Sequence, residues 1–256
     1  MSPKYIIGLP AYNEESNINK LLDKIHSLKS VYGDSLHVLI VNDGSTDNTE
    51  AILEKYAGKY TYISYINHPR NLGLGNAMDT LLKYAVNNLD DQDILITFDA
   101  DNTHNPNIIP DMIDMLTHKN LDIVIASRFI KGSREIGLSN RRKIYSRGAM
   151  LFCRLVFHID NVRDYSCGYR IYNIGYLKRL EANYGGKIIS SRGFECMVEI
   201  LAKAGRMGVK AGEYPIALEY NLKEGKSKMN ANKTILGYIR LAIKARKLRT
   251  RLESGR

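Results

Sequence analysis

The chain has few cysteines, which cross-link many small proteins, and no long apolar run of the kind that spans a membrane. Its 256 residues include three cysteines, six prolines and no tryptophan. Cys153, Cys167 and Cys196 are odd in number and widely spaced, which excludes a disulfide framework and a C-x-x-C metal site. No run approaches the roughly 18 apolar residues of a membrane helix, and residues 1–10 are too short for a cleavable signal. We therefore expect a reducing, cytoplasmic setting.

The composition is that of an ordinary globular protein. Apolar residues make up 44% and charged residues 25% of the chain, which argues against a disordered, collagen-like or coiled-coil protein. The length suffices for one large α/β domain with a short tail.

The net charge of +10 is concentrated in two blocks. Residues 1–127 carry nine basic and 17 acidic side chains, residues 128–154 carry eight and one, and residues 221–256 carry 11 and two. No recognised DNA- or RNA-binding motif accompanies this basicity, and aromatic residues for base stacking are few. We do not expect nucleic acid as a partner.

Alternating strand and helix patterns in the first half predict a doubly wound, mostly parallel sheet. The predicted strands are Tyr5–Leu9, Leu36–Val41, Tyr62–Ile66, Ile94–Phe98 and Ile123–Ala126. Amphipathic helices are predicted between them, after Ser16, after Ser45 or Asp47, and over Ala77–Val86. Open sheets of this kind bind ligands at the carboxyl ends of their strands.

The second half is less regular. Residues 128–147 are rich in glycine and arginine without a clear period, which predicts a mobile loop. Helices are predicted around Arg147–Val156 and Arg192–Ala204, and a strand near Tyr214–Tyr220. The last element, Asn232–Leu252, has aliphatic residues on one side (Ile235, Ile239, Leu248, Leu252) and basic residues on the other, as an amphipathic helix at a membrane surface does.

Carboxylates follow three of the predicted strands. Asp99 and Asp101 come directly after Ile94–Phe98, where alternate side chains splay and can hold a divalent cation that also contacts a diphosphate. Asp43 follows the second strand and suits a nucleobase or ribose contact, and Tyr12 and Glu14 follow the first. Each position alone is also compatible with a turn before a helix cap, such as Asn105. Of the histidines, only His104, beside the Asp pair, is a candidate site residue, although a histidine in a solvated turn is the more frequent case.

These stretches resemble a known family. The segments PAYNEESNI, VNDGSTDNT, RNLGLGNA, FDADNTHNP, ASRF, DYSCGYRIY, SSRGFECMVEILAKA and YPIALEYNLKEGKSKM, which cover most of residues 5–230, are similar to those of inverting family 2 glycosyltransferases with the GT-A fold. Within that family they resemble the dolichol-phosphate mannose synthase group. The resemblance implies a GT-A domain over residues 1–230, a basic tail over 231–256, and transfer of one sugar from a nucleotide sugar to a polyprenyl phosphate.

The resemblance and the charge pattern together suggest roles for individual residues. Asp99, Asp101, Arg128, Arg141 and Arg142 are the expected catalytic residues. Mg²⁺ or Mn²⁺ is expected on Asp99 and Asp101. The nucleotide sugar is expected on Pro10, Tyr12, Glu14, Val41, Asp43, Asp99 and Ala100. The acceptor phosphate is expected on Arg128, Arg141, Arg142, Ser146 and Lys228, because arginines suit a terminal phosphate. An anionic membrane surface on the cytosolic side and a separate membrane subunit are the further partners implied.

Three positions depart from the family pattern: Asn42 stands where an aspartate is usual, Thr103 where a glutamine often follows the metal pair, and Leu222 where an arginine commonly precedes G-x-S-K, with Lys223 as a possible substitute.

Three other functions stay open. A family 2 enzyme acting on a saccharide or protein hydroxyl would need a catalytic base, a nucleotidylyltransferase would need a Gly- and Arg-rich loop after the first strand, and a basic membrane-docking module would leave the carboxylates without a role.

Overall fold

The computed structural model describes residues 2–225 and 231–253. In the second range, it describes the side chains of residues 233–244 only. Strands and helices alternate through most of this range. The strands are β1 (Tyr5–Ala11), β2 (Leu36–Asn42), β3 (Ile63–Asn67), β4 (Ile94–Thr97), β5 (Ile123–Ser127), β6 (Arg134–Ile136), β7 (Arg170–Asn173), β8 (Ala211–Pro215) and β9 (Ala217–Glu219). The helices are α1 (Ile18–His26), α2 (Lys29–Tyr32), α3 (Thr49–Lys59), α4 (Leu74–Asn88), α5 (Ile109–His118), α6 (Asn140–Phe157), α7 (Ile174–Asn183), α8 (Cys196–Arg206) and α9 (Ala231–Glu253).

A seven-stranded sheet in the order β3-β2-β1-β4-β7-β5-β8 forms the centre of the fold. The five strands predicted in the first half are present within two residues of their predicted ends. Their β-branched and aliphatic side chains are buried because helices cover both faces of a parallel sheet. The predicted doubly wound, mostly parallel architecture is confirmed.

One strand of this central sheet, β7, was not predicted, and it makes the sheet mixed. It runs antiparallel between β4 and β5, pairing Arg170 with Thr97 and with Ile125. Its sequence, Arg-Ile-Tyr-Asn, contains no apolar run, so only its position between two strands identifies it. The Arg170 side chain is wholly buried and donates to the Tyr165 carbonyl at 2.8 Å.

The mobile loop predicted for residues 128–147 is wrong. This stretch contains β6, which pairs with β9, and the first turns of α6, whose 18 residues begin at Asn140 rather than near Arg147. Arginine and lysine are good helix formers, so basic residues do not interrupt a helix. Cys153 is buried, and Ala149 and Phe152 pack partly against the core. This apolar stripe is narrow, and the many solvent-facing basic residues around it obscure the helical period in the sequence.

The predicted C-terminal elements are present with shifted ends. The helix predicted from Arg192 begins at Cys196, and the strand near Tyr214–Tyr220 is two short strands, β8 and β9, separated by the buried Ile216. Helix α9 packs on α6 and buries Thr234 and Tyr238. Within the described residues, no helix is both long and apolar enough to cross a membrane. The division at residue 230 and the orientation of Leu248 and Leu252 stay predictions.

Candidate active site

The carboxyl ends of three neighbouring parallel strands meet at one edge of the sheet. In register, Ala11 of β1 lies beside Asn42 of β2, and Gly8 of β1 lies beside Thr97 of β4. The residues that follow these strands therefore come together, as expected for an open α/β sheet. We call the group Glu14, Asp43, Asp99 and Asp101 the carboxylate edge.

Asp99 and Asp101 leave β4 on either side of the buried Ala100. Asp99 is half-buried. Asp101 is buried: its Oδ1 accepts hydrogen bonds from Thr103 N at 3.2 Å and Thr103 Oγ1 at 2.6 Å. Its Oδ2 accepts one from Lys223 Nζ at 2.7 Å.

The two carboxyl groups differ in their affinity for a proton. Burial and the neighbouring Asp101 raise the pKa of Asp99 to about 7, against the opposing influence of Lys223. Burial alone would raise the pKa of Asp101 as well, but His104, Lys223 and the hydrogen bonds to its oxygens outweigh it, so the pKa lies below its usual value. Two crowded carboxylates next to one another compete for compensating positive charge.

This donor set fits a divalent cation shared with a substrate. No group of three or more His, Cys, Asp or Glu side chains is arranged to hold a metal within the part of the chain that the structure describes. Mg²⁺ and Mn²⁺ commonly take one or two carboxylates from the protein and further oxygens from phosphates and water. Asp99 and Asp101 would supply the carboxylates, and a bound diphosphate would supply phosphate oxygens.

The loops after β1 and β2 are tied to each other. Glu14 N donates to Thr49 Oγ1 at 2.8 Å, and Asn13 N donates to Ser45 Oγ at 2.9 Å. Asn13 has a φ of +52°, a left-handed conformation that asparagine tolerates. Glu14 is buried and accepts from Asn17 Nδ2 at 2.8 Å, whereas Tyr12 stays half-buried at the mouth.

Asp43 anchors the neighbouring loop instead of projecting freely. Its Oδ1 accepts from His68 Nδ1 at 2.7 Å and from Leu72 N at 3.0 Å, and its Oδ2 accepts from Gly73 N at 2.8 Å. The side chains of Val41 and Pro10 are buried in β2 and β1, so a contact of either residue with a nucleotide would use the main chain. The nucleotide contacts of these residues stay predictions. His68 has no sequence signal, since it comes to Asp43 only through the sheet.

A buried ion pair orients Arg128. The guanidinium donates to both oxygens of Asp164, each at 2.7 Å, and to Ser166 Oγ at 2.6 Å. Burial would raise the pKa of Asp164, but Arg128 and three backbone N–H groups outweigh it and hold the pKa low. Arg128 is close enough to Asp99 to lower the pKa of that carboxyl group. The motif containing Asp164 was part of the resemblance, but its pairing with Arg128 was not predicted.

The acceptor role of the other residues, Arg141, Arg142, Ser146 and Lys228, stays a prediction. Arg141 and Arg142 lie exposed in the first turn of α6 and form no ion pair with the residues that the structure describes. The largest electrostatic influences on Asp99 come from Asp101, Lys223, Glu14 and Arg128. Ser146 is half-buried one turn further along. Lys228 lies outside the described residues.

His104 is buried rather than solvated, contrary to the sequence expectation. It packs edge-on against Tyr169 and lies beside Phe98. Burial lowers the pKa of His104 to about 4, so the ring is neutral at pH 7. His104 lies in a bend, but it is not solvated, because Phe98 directly after β4 and Tyr169 directly before β7 cover it.

An α/β sheet with carboxylates gathered at the ends of its parallel strands has the arrangement in which open sheets of this kind bind ligands. The family model described as glycosyl transferase family 2 matches residues 6–180, more than half of the chain. The chain therefore belongs to glycosyl transferase family 2 and is a glycosyltransferase.

Two relatives indicate which group of family 2 glycosyltransferases this chain resembles. A dolichol-phosphate mannosyltransferase of Pyrococcus furiosus is 28% identical over 238 residues, which cover 93% of this chain but only 62% of that protein. An undecaprenyl-phosphate mannosyltransferase of Micrococcus luteus is 27% identical over 219 residues, 85% of each chain. The resemblance to the dolichol-phosphate mannose synthase group is confirmed.

Solved structures confirm the GT-A-like fold. Glucosyl-3-phosphoglycerate synthase of Mycobacterium tuberculosis, in complex with Mn²⁺, UDP and phosphoglyceric acid, superposes with a TM-score of 0.64 at 17% identity. The match covers 94% of this chain and 79% of that one. At this identity the likeness concerns the fold.

Proposed function

We propose that this glycosyltransferase moves one hexose, mannose or glucose, from a GDP- or UDP-linked donor to the phosphate of a polyprenyl carrier. The observation that carries the proposal is the pairing, in one site, of a carboxylate pair that fits a divalent cation with two separate cations, Arg128 and Lys223. A reaction between two phosphate-bearing substrates needs positive charge on both sides. The names of the two mannosyltransferase relatives agree with such an acceptor.

The proposed reaction requires this chain to compensate the negative charge of both substrates. A polyprenyl phosphate is ionised at pH 7 and can attack the anomeric carbon without a general base. Mg²⁺ or Mn²⁺ held by Asp99 and Asp101 would neutralise the leaving diphosphate. Asp164 fixes the guanidinium of Arg128 in one orientation, which lowers the entropy lost when it binds a phosphate. Direct displacement inverts the anomeric configuration.

The test is a transfer assay with radiolabelled GDP-mannose, GDP-glucose, UDP-glucose and UDP-mannose, a polyprenyl phosphate and Mn²⁺, followed by organic extraction. We expect label in the organic phase from one of these donors, and loss of this label with Asp99→Asn. Asp114→Asn, an exposed aspartate on α5, is the matched control. Label on a free saccharide or protein hydroxyl, with none in the organic phase, would favour the hydroxyl-acceptor alternative.

We further propose that α6 and α9, together called the basic helix pair, hold the enzyme on an anionic membrane. The outward side of α6 exposes Ile144, Leu151 and Leu155, the last at 76% of its surface. That of α9 exposes Ile235, Ile239 and Ile243. By sequence, α6 carries five basic residues and no acidic one, and α9 carries seven basic residues and one acidic one.

Charge selects the occupant of this surface. Two copies of so basic a surface repel each other, whereas an anionic leaflet attracts each nearby Lys or Arg by about 1 kcal/mol. Exposed aliphatic side chains between the cations are what an interfacial helix buries in the headgroup region. A separate membrane subunit is the other partner that could cover these helices.

Liposome sedimentation tests the surface. Leu151→Ser with Leu155→Ser should weaken binding to vesicles containing anionic lipid at least about tenfold, given ~0.8 kcal/mol per buried CH₂ lost. Val31→Ser removes an equally exposed aliphatic side chain from α2 and should leave binding unchanged. Unchanged sedimentation of the double variant would contradict lipid docking and favour a membrane subunit as the partner.

A further inference from the structure

Lys223 makes a direct bond to one of the two predicted metal ligands. Its Nζ donates to Asp101 Oδ2 at 2.7 Å, and both side chains are largely buried. Because Thr103 occupies Asp101 Oδ1, both oxygens of this carboxylate already accept hydrogen bonds from the protein. A cation that binds Asp101 must therefore replace or share one of these bonds.

The segment that carries Lys223 is fastened to α1 and to the residue before it. Glu224 N donates to Asn17 Oδ1 at 3.0 Å, and Asn17 Nδ2 donates to Glu224 O at 3.2 Å. Lys20 pairs with the Glu224 side chain. Asn17 Nδ2 also donates to Glu14 Oε2. These bonds hold the backbone at residue 224, while the four-carbon stem of Lys223 can still move its ammonium.

We propose that Lys223 couples the binding of the divalent cation to the binding of the donor's diphosphate, by competing with the cation for Asp101 until the diphosphate provides another anion. The proposal rests on the proposed function only in assigning the cation to Asp99 and Asp101.

Electrostatics gives the coupling its sign. A dication and an ammonium group on the same carboxylate repel each other strongly at a separation of a few ångströms in a poorly hydrated site. With the cation alone, Lys223 loses its bond to Asp101. The carboxylates that remain near it are Asp99, which shares the cation, and Glu14, which already accepts from Asn17. When the diphosphate arrives together with the cation, Lys223 can turn to a phosphate oxygen, since lysine is a point charge on a flexible stem.

The consequence is cooperative binding. The cation alone should bind weakly, and the nucleoside diphosphate should tighten it. By thermodynamic linkage, the cation should tighten the nucleotide by the same factor. This order protects the carboxylate pair from binding a metal before the donor is present.

The experiment measures Mn²⁺ binding by electron paramagnetic resonance, first without nucleotide and then with saturating UDP or GDP. In Lys223→Met, Mn²⁺ alone should bind at least about tenfold tighter than in the wild type, the scale of one charge-assisted hydrogen bond. The factor by which the nucleotide tightens Mn²⁺ should fall by a similar amount. Lys223→Arg, which keeps the positive charge, should retain weak binding of Mn²⁺ alone.

Lys24→Met is the matched control. Lys24 Nζ donates to Asn102 Oδ1 at 2.7 Å, so this variant removes an ammonium next to the site but leaves Asp101 with its partner. Its Mn²⁺ affinity should stay within about twofold of the wild type, because the effect requires contact with the carboxylate itself. Thermal unfolding checks that each variant is folded.

Unchanged Mn²⁺ affinity in folded Lys223→Met would overturn the proposal, and so would an equal gain in Lys24→Met. The assay contains no acceptor and no sugar transfer. An acceptor other than a polyprenyl phosphate would therefore overturn the proposed function and leave this readout unaffected.

Discussion

The carboxylate edge and the basic helix pair use charged residues in opposite ways. Asp43, Asp101 and Glu14 at the edge are buried. Asp43 accepts from Leu72 N and Asp101 from Lys223 Nζ, across 29 and 122 residues, and Glu14 accepts from the nearby Asn17. On α6, Arg141 and Arg142 extend into solvent beside exposed aliphatic side chains. The first arrangement holds charge in one position before a ligand arrives, whereas the second presents charge to a surface without fixing it.

This difference predicts where substitutions are costly. A buried charge that loses its partner is left in a medium that cannot solvate it, so stability or catalysis changes strongly. An exposed charge is screened and contributes little to stability. The following changes test this contrast, beginning with the largest expected effect.

Asp164→Asn should lower the free energy of unfolding by about 3–5 kcal/mol at pH 7, because it leaves the guanidinium of Arg128 without its counter-charge. The pKa of Asp164 is lowered by folding, so its contribution is present above its unfolded pKa and disappears as the pH falls. Urea denaturation at pH 7 and at about pH 3 measures both effects. Asp114→Asn, an exposed carboxylate, should change stability by less than about 0.5 kcal/mol.

Asp101→Ala should reduce turnover at least about a hundredfold, the scale of losing one electrostatic stabiliser of a developing charge. Steady-state transfer assays with increasing Mn²⁺ measure this loss. The variant should still fold, but with a lower unfolding temperature, because Lys223 is left without its partner. Full activity of the wild type in EDTA would show that no divalent cation is required.

Replacing Arg141 and Arg142 together by alanine should reduce transfer to vesicle-bound polyprenyl phosphate about ten- to thirtyfold, the scale of two contacts with an anionic surface. Nucleotide affinity, measured by calorimetry, should stay unchanged. A short water-soluble acceptor should be glycosylated at nearly the wild-type rate. Equal loss with both acceptors would place these arginines on the acceptor phosphate itself.

The smallest effect is expected for an exposed aliphatic residue. Ile144→Ala on α6 should alter the free energy of unfolding by no more than about 0.5 kcal/mol. Ile96→Ala in β4, where the same side chain is wholly buried, should cost about 2–5 kcal/mol. Similar losses at both positions would mean that α6 is covered by part of the protein itself.

The first half of the fold was predictable because its signals are local. The runs Tyr5–Leu9 and Ile94–Phe98 are apolar enough to identify buried strands, and parallel strands place their carboxyl ends together. The location of Asp99 and Asp101 followed from that rule. β7 and the first turns of α6 were missed because a buried arginine and a row of exposed basic residues conceal the apolar pattern.

The partners of the site residues could not be predicted. Asp43 meets His68 across two strands, Arg128 meets Asp164 across 36 residues, and Lys223 meets Asp101 across 122. A sequence pattern indicates which residue types can do chemistry, but a pairing over such distances depends on how the strands and loops pack.

The sequence by itself determined the fold class, the family, and the strand end that carries the Asp-x-Asp pair, because these depend on periodicity and short motifs. Only the tertiary structure decided which charges are compensated: it buries Asp164 with Arg128 and brings Lys223 onto Asp101. It also leaves Arg141 and Arg142 in solvent on a helix. The physical reason is that burial and long-range ion pairing are set by packing, which acts between segments that no local pattern connects.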